Sequence, residues 1–333
     1  MHKLFHFKPI APGLKDEKSS HPFGVLVAKE ISDHIRSWRF IILLALILLT
    51  CISSLYTSLS SISKTVAKPD DPENTFLLLK LFTLSDGTLP PFHVFIGFLG
   101  PLLGISLGFD AINSEQNAGT LSRVMAQPIH RDYLINAKFA GALIVISTLF
   151  LALGLAVIGL GIIIIGVPPT PQELLRIFLF IFLSIFYVAF WLNLAIFFSI
   201  RFRQAATSAL TAIAVWLFFT VFYQIIVSLI AKAIIPTTAI ETDQTLNYQK
   251  LINDLLRIVP SQLYSDATTT LLMPSVRSLG PLTMEQVYGA IPSPLPILES
   301  LTIVWPQLTG LLAATILCFA GSYYSFMRRE IRS

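Results

Sequence analysis

Six long stretches of the chain carry no ionisable side chain in their central parts, and this feature restricts the fold more than any other. They cover approximately Phe40–Tyr56, Phe92–Phe109, Leu134–Gly166, Leu174–Ile200, Ala205–Ala231 and Leu301–Phe326, with Lys138 and Arg176 near the ends of two of them. A helix needs about 20 mostly apolar residues to cross a bilayer. Barrel strands would instead show about ten residues of alternating hydrophobicity, and these stretches do not alternate. We therefore expect an all-α, polytopic membrane protein with six transmembrane helices.

The charged residues are few and unevenly placed. Only 13% of the 333 residues are charged, against about 25% in soluble domains, so the chain needs lipid as its solvent. Most Lys and Arg fall in segments 1–39, 110–138, 201–203 and 327–333, which an even number of spans places on one side. The positive-inside rule then predicts that both termini are cytoplasmic. This distribution is typical of membrane topology and does not indicate nucleic-acid binding.

The residues before the first span divide into two parts. Residues 1–21 have a mixed composition and are expected to form a cytoplasmic lead. In residues 22–39 the apolar Val27, Ile31 and Ile35 recur at helical spacing, with charged residues between them. This pattern predicts an amphipathic helix that lies in the membrane interface. Residues 40–333 then form the six-helix transmembrane domain.

Two sizeable segments, 57–91 and 232–300, are expected on the extracytoplasmic side. Within them Phe76–Phe82 and Tyr248–Val259 are compatible with short outer helices. Neither segment shows metal-ligand spacing or a Cys pair, so no metal or cofactor is predicted on this chain. The sequence leaves open whether the fifth span is continuous or breaks near Lys232 and re-enters the membrane.

The spans lack the groups that ion-coupled carriers use. Carriers driven by a proton or sodium gradient place Asp, Glu, Lys or His within their spans, where these groups mark the ion path. The central parts of all six spans have none. The chain also has no GxxxxGK[ST] phosphate loop, so it does not itself bind ATP in that manner. The energy for transport must come from another subunit, or the protein is a passive pore.

The segment between the second and third spans, 110–133, combines charge with helix signals. Thr120 is suited to cap a short helix that has Leu121 on its apolar face, and Pro128 ends that helix because it has no backbone N–H to donate. A new helix start follows at Arg131. We expect a short amphipathic helix held between two spans at the cytoplasmic face. The alternative interpretation is an ordinary interhelical loop.

A resemblance to a known family favours the first interpretation. Glu115, then Gly119-Thr120-Leu121, Gln127-Pro128, Arg131 and Lys138 resemble the signature of the permeases of the ABC type-2 transporter family, which have the type V exporter fold. The resemblance covers nearly the whole chain, from the interfacial helix to the basic tail. The chain departs from the family where Ala118 occupies a position that is often basic, and in the length of its last outer segment.

The resemblance implies partners and a location. The working unit would contain two permeases, identical or paralogous, and two cytoplasmic ABC ATPase subunits on separate chains that hold ATP and Mg. It would lie in a prokaryotic inner membrane, in contact with lipid. The permease itself would not be an enzyme. Seven residues are implied as contacts that couple the permease to the ATPase: Glu115, Thr120, Leu121, Arg123, Gln127, Pro128 and Arg131.

These residues also allow simpler interpretations. Pro128 stops a helix wherever it occurs, Thr120 caps one, and Arg123 and Arg131 are suited to contact lipid headgroups. The leading hypothesis is an exporter permease for a hydrophobic, amphipathic or envelope-related substrate. The alternatives are the permease of an assembly or maturation transporter that acts with an extracytoplasmic partner protein, and a gradient-driven carrier or channel.

Overall fold

The computed structural model describes residues 22–65, 76–126, 130–234, 242–275 and 295–329. Within these ranges the chain is helical and has no strand. The α-helices are α1 (Pro22–Ile35), α2 (Trp38–Thr65), α3 (Leu77–Thr83), α4 (Phe92–Gly108), α5 (Asn113–Asn117), α6 (Thr120–Met125), α7 (Arg131–Ile165), α8 (Pro171–Arg201), α9 (Ala205–Leu217), α10 (Tyr223–Ile234), α11 (Thr242–Leu256), α12 (Pro260–Leu272) and α13 (Ile297–Arg328). A π-helical turn, Phe218–Phe222, joins α9 to α10.

Six helical stretches of the described chain are long and apolar enough to cross a membrane. They are α2, α4 with the turn through α5, α7, α8, the joined α9 and α10, and α13. The predicted all-α, six-span architecture is therefore confirmed. The predicted amphipathic segment forms α1, which ends at Ile35 before α2 begins at Trp38. The predicted lead, residues 1–21, lies outside the described residues.

The boundary between α7 and α8 follows directly from local sequence. α7 is continuous despite its glycines and ends at Gly166, which has a φ of 76°. A residue without Cβ adopts this left-handed conformation at little cost, so Gly166 stops the helix. α8 then begins with a capping box in which Thr170 and Glu173 bond each other's backbone N–H, and Pro171 occupies the first turn.

The pair formed by α4 and α8 lies at the centre of the bundle. A Cβ added to Gly104 would lie 2.7 Å from the carbonyl oxygen of Val188, and one added to Gly108 would lie 2.7 Å from that of Leu192. Glycine at these positions one turn apart lets the two backbones touch, which is how membrane helices pack most closely. Pro101 lies in the same helix. The close contact fixes the position of α4, and with it the position of the turn that follows Gly108.

Helices α11 and α12 occupy part of the segment predicted to be extracytoplasmic. α11 packs against α10, and α12 packs against α4, α8 and α13. Tyr264 of α12 stacks on Tyr187 with ring centroids 4.3 Å apart, and its hydroxyl lies 2.9 Å from that of Ser184. Because Tyr187 is at the middle of α8, α12 reaches deep into the bundle. The fifth span itself continues as a helix to Ile234, past Lys232.

Candidate functional site

Three charged side chains are buried together where α1, α5 and α7 meet. The Nζ of Lys138 lies 2.8 Å from the Oε1 of Glu115 and 3.1 Å from the Oε1 of Glu30. Lys138 is 4% exposed, Glu30 is 6% exposed and Glu115 is 8% exposed. Lys138 therefore bonds two carboxylates that come from segments far apart in the sequence.

The packing of α1 against α7 places Glu30 in this cluster. Gly141 lies one turn after Lys138, and a Cβ added there would be 2.8 Å from the Cβ of Glu30. α1 consequently approaches α7 closely enough for the Glu30 carboxylate to reach the Lys138 ammonium. Phe23 and Tyr133, whose rings are 5.8 Å apart, hold the start of α1 against the start of α7. The absence of a side chain at Gly141 thus determines the position of a charge on another helix.

A second lysine closes the cluster on its exposed side. The half-exposed Lys29 lies 3.1 Å from Glu30, 3.2 Å from Glu115 and 3.6 Å from Asp33. Burial lowers the pKa of Lys29, but the charges and hydrogen bonds of Glu30 and Glu115 outweigh burial and raise it above the usual value. The charges of the two lysines and the two buried glutamates cancel, while the carboxylate of Asp33 is exposed to water. This neutrality lets a group of ionised side chains persist with little water around it.

A second ion pair holds the start of the loop. Asp110 pairs with Arg39, whose guanidinium also lies 4.8 Å from the ring centroid of Phe109. Since Arg39 follows the break between α1 and α2, this contact joins the first and second spans at the same end as the buried cluster. The two ion-paired groups therefore bind the loop to α1, α2 and α7.

Backbone contacts bind the same loop to α8. The Ser199 hydroxyl accepts hydrogen bonds from the backbone N–H groups of Ile112 and Asn113, at 2.9 and 3.2 Å. In the orientation that satisfies its amide, the buried Asn113 side chain donates to the carbonyl groups of Ser199 and Phe202. Helix α5 is therefore attached to the last turn of α8 through its first residues.

The end of α13 is attached to the loop as well. The guanidinium of Arg329 donates to the Oε1 of Gln116 at 2.8 Å and to the carbonyl of Ile200. Arg131 donates to the carbonyl of Arg329, and its guanidinium lies 5.6 Å from the ring centroid of Phe326. Arg329 thus connects the short α5 helix to the last turns of α8 and α13.

The predicted coupling residues fall into two groups by exposure. Glu115 and Leu121 are buried, and the partly exposed Thr120 is the first residue of α6, with its hydroxyl donating to the carbonyl of Glu115 at 3.1 Å. Arg123 is exposed on α6, while Arg131 is partly exposed and contacts α13. Gln127 and Pro128 lie outside the described residues. The structure therefore brings Glu115 and Thr120 together beneath a surface that displays Arg123.

Sequence reasoning missed several members of the site. Lys138 was recognised only as part of the family signature, and Lys29, Glu30, Gln116 and Arg329 were not singled out. One sequence feature could have indicated the ion cluster: Lys138 lies at the edge of an apolar span, and a lysine buried there needs a carboxylate partner. No sequence pattern indicated that Glu30, on a different helix, would share that role.

Comparison with known protein families identifies the family of this chain. The family model described as ABC-2 family transporter protein matches residues 25–331, which is nearly the whole chain. The chain belongs to the ABC-2 transporter family. This family consists of membrane transport subunits that work with an ABC ATPase, so the chain is a multi-pass membrane protein of an ABC transporter. A search among curated proteins finds no match to the chain.

Proposed function

We propose that this chain is the permease subunit of an ATP-driven exporter, and that the helices α5 and α6 transmit the movement of a separate ATPase to the spans. The observation that supports this most directly is the buried Lys138–Glu115–Glu30 cluster. It binds the loop to α1 and α7 through buried charges. On this proposal both termini are cytoplasmic, in the inner membrane of a prokaryote.

The contacts around α5 make it a rigid connector. Its carboxylate at Glu115 is bonded to α7, its backbone at Asn113 to α8, and its Gln116 to the residue that follows α13. A displacement of this short helix must therefore move three spans or break several charged hydrogen bonds. Charged hydrogen bonds are about twice as strong as neutral ones, so movement of the whole assembly is favoured over rupture.

The ATPase contact is proposed for the exposed side of this connector. Arg123 is exposed on α6, and arginine is enriched among the residues that dominate protein interfaces. Glu115 does not contact the ATPase in this proposal. Its buried carboxylate bonds two lysines and so holds α5 in place. Gln127 and Pro128 remain proposed contacts. ATP and Mg would be held by the partner, because the sequence lacks a phosphate loop.

A second permease is proposed to cover the fifth span. Only 11% of the most apolar window in the helix Ala205–Ile234 is buried within the chain, compared with 61% in α8. Its exposed apolar side chains include Leu210, Leu217 and Leu229. Two permeases that pair along this helix would place a passage between them, which fits the proposal of two permeases and two ATPases per transporter.

A groove beside the fifth span favours an amphipathic substrate. It has a volume of 250 Å³ and lies between α4, the π-helical turn and α12. Phe98 and Val94 give it apolar walls, while Thr220, Gln224 and Gln262 add polar groups. The Thr220 hydroxyl is buried and has no hydrogen-bond partner within the described ranges. The mixed lining suits a molecule with both apolar and polar parts.

The proposal is tested by co-purification from lipid. The tagged chain, expressed together with the genes that flank it, should bring down an ABC ATPase in equal number. Arg123→Glu should weaken that association by about tenfold, as expected when an interface arginine contributes about 1.4 kcal/mol or more. Lys250→Glu reverses an exposed charge on α11, which packs beside α10, and should leave the association unchanged.

Two results would contradict parts of this proposal. If the wild-type chain brings down no ATPase and stimulates no ATP hydrolysis in lipid, the permease function is wrong. If an ATPase binds equally well to the wild type and to Arg123→Glu, the chain is a permease but its contact surface lies elsewhere. Both variants are first compared with the wild type by thermal unfolding, so that a folding defect is recognised.

A further inference from the structure

Four arginines surround one pocket at the end of the bundle where α8 and α13 terminate. The pocket has a volume of 460 Å³ and is lined by Arg201, Arg203, Arg328 and Arg329, together with Ile200, Tyr324 and Ser325. Among the described residues, no acidic side chain lines it and no ion pair involves any of these four arginines. The pocket therefore concentrates positive charge without a compensating anion from the described chain.

The arginines differ in how they are held. Arg329 is fixed by its bonds to Gln116 and to the Ile200 carbonyl, and it is less exposed than the other three arginines. Burial, followed by the charge of Arg203, lowers the pKa of Arg329 from its usual value. Arg201 and Arg203 are exposed. Their charges repel one another across a small volume, and an anion between them would relieve that repulsion.

The helix α13 continues the pocket into an apolar surface. Leu317, Tyr324 and Arg328 follow one another at intervals of seven and four residues, so they lie on one face of the helix. Leu317 is 73% exposed and Tyr324 is 55% exposed, and the guanidinium of Arg328 lies 4.5 Å from the centroid of the Tyr324 ring. An exposed apolar face of α13 thus leads to a cationic pocket.

We propose that this pocket binds the phosphate of an anionic phospholipid whose acyl chain lies along the Leu317–Tyr324 face of α13. Guanidinium groups bind phosphate oxygens in pairs of parallel hydrogen bonds, and basic pockets between the ends of membrane helices are suited to lipid headgroups. A free phosphate ion would use the arginines but not the apolar stripe. The combination of both surfaces favours a lipid.

The bound lipid would stabilise the loop site without being part of it. Arg329 contacts both the pocket and Gln116 of α5. A phosphate beside Arg329 keeps that guanidinium ordered, and through it the contact with α5. The inference depends only on the membrane location and the geometry of this end of the bundle, so it stands apart from the proposed ATPase contact.

The test measures lipid retention by the full chain. The protein is purified in mild detergent, and phosphatidylglycerol or phosphatidylcholine of the same acyl composition is added back and counted by native mass spectrometry. The wild type should prefer phosphatidylglycerol by about tenfold. Arg201→Gln/Arg203→Gln/Arg328→Gln should abolish the preference. Arg36→Gln/Lys250→Gln, which removes two exposed cations outside the pocket, should retain it.

Two further measurements distinguish a phospholipid from a free phosphate ion as the bound anion. Leu317→Gln should weaken phosphatidylglycerol binding, and inorganic phosphate at millimolar concentration should not displace the lipid. If phosphate displaces it and Leu317→Gln has no effect, the pocket is a free-anion site and the lipid proposal is wrong. Equal lipid binding by the triple variant and the wild type would also overturn it. So would a triple variant that keeps the lipid but loses the ATPase, because the arginines would then be a protein contact.

Discussion

The two ends of the helix bundle hold a buried cation in different ways. Near the start of α7, Lys138 bonds the carboxylates of Glu30 and Glu115. Near the start of α8, at the opposite end, Arg176 is fully buried and donates to the carbonyl groups of Leu271 and Leu295 at 3.0 and 2.6 Å. One end neutralises its charge with ionic partners, and the other surrounds it with backbone dipoles.

The two ends are therefore stabilised in different ways, one by ion pairs and the other by the geometry of hydrogen bonds. The Lys138 end depends on charges from three helices, so the loss of one charge leaves the remaining buried charges incompletely paired. The Arg176 end depends on the shape of a guanidinium, whose N–H groups reach one carbonyl in the last turn of α12 and one just before α13. On the proposed function, the end that receives the ATPase is the one in which neighbouring helices are joined by charge.

The largest expected effect comes from removing the central charge of the first end. Lys138→Met should lower the free energy of unfolding by about 3–5 kcal/mol, because it leaves two buried carboxylates with only the half-exposed Lys29 as a cation. The measurement is equilibrium unfolding in mixed micelles. Combining Lys138→Met with Glu30→Gln and Glu115→Gln removes all three charges and should recover a large part of the loss. A full loss that persists in the triple variant would show that packing, not charge, holds this end together.

A smaller effect on stability is expected at the other end, where a substitution of Arg176 can keep the positive charge and change only the shape of the side chain. Arg176→Lys retains the cation but reaches only one of the two carbonyls, and should cost about 1–3 kcal/mol for the acceptor left unpaired. Arg257→Lys, at a partly exposed position between α11 and α12, is the matched control and should change stability little. If Arg176→Lys is as stable as the wild type, then the charge alone matters and the two ends do not differ as described.

The smallest effect is expected from the exposed member of the ion cluster. Lys29 contacts the same two glutamates as Lys138, but half of its side chain is exposed. Water replaces it when it is lost, so Lys29→Ala should cost about 0–1 kcal/mol. The cost should fall further at high salt, where exposed ion pairs are screened. A loss comparable to that of Lys138→Met would mean that burial does not distinguish the two lysines.

The sequence predicted the elements of this fold better than their pairing. The six uncharged stretches correspond to the six spans. The predicted short helices at Phe76–Phe82 and Thr120 correspond to α3 and α6. Helical and apolar patterns are local, so they are readable along the chain. The contact between Glu30 and Lys138 is not local, because it depends on how two helices pack. The position of the loop was therefore predictable, and the ion cluster beneath it was not.

The depth of α12 was hidden by its polar composition. Its Ser and Thr residues made the segment resemble a water-exposed cap. In the structure, the hydroxyls of Thr268 and Thr270 donate to the carbonyls of Tyr264 and Asp266, four residues earlier, at 2.8 and 3.0 Å. A hydroxyl satisfied by its own helix can be buried at modest cost. Composition alone does not distinguish such a residue from one that bonds to water.

The glycines of α4 have a consequence for how this protein changes conformation. At Gly104 and Gly108 the backbones of α4 and α8 touch, with no side chain between them to change rotamer. Sliding or rotating one helix against the other would drive main-chain atoms into each other, so the pair must travel as a single rigid body. Any hinge in the transport cycle therefore lies outside this pair, where helices meet through side chains that can repack.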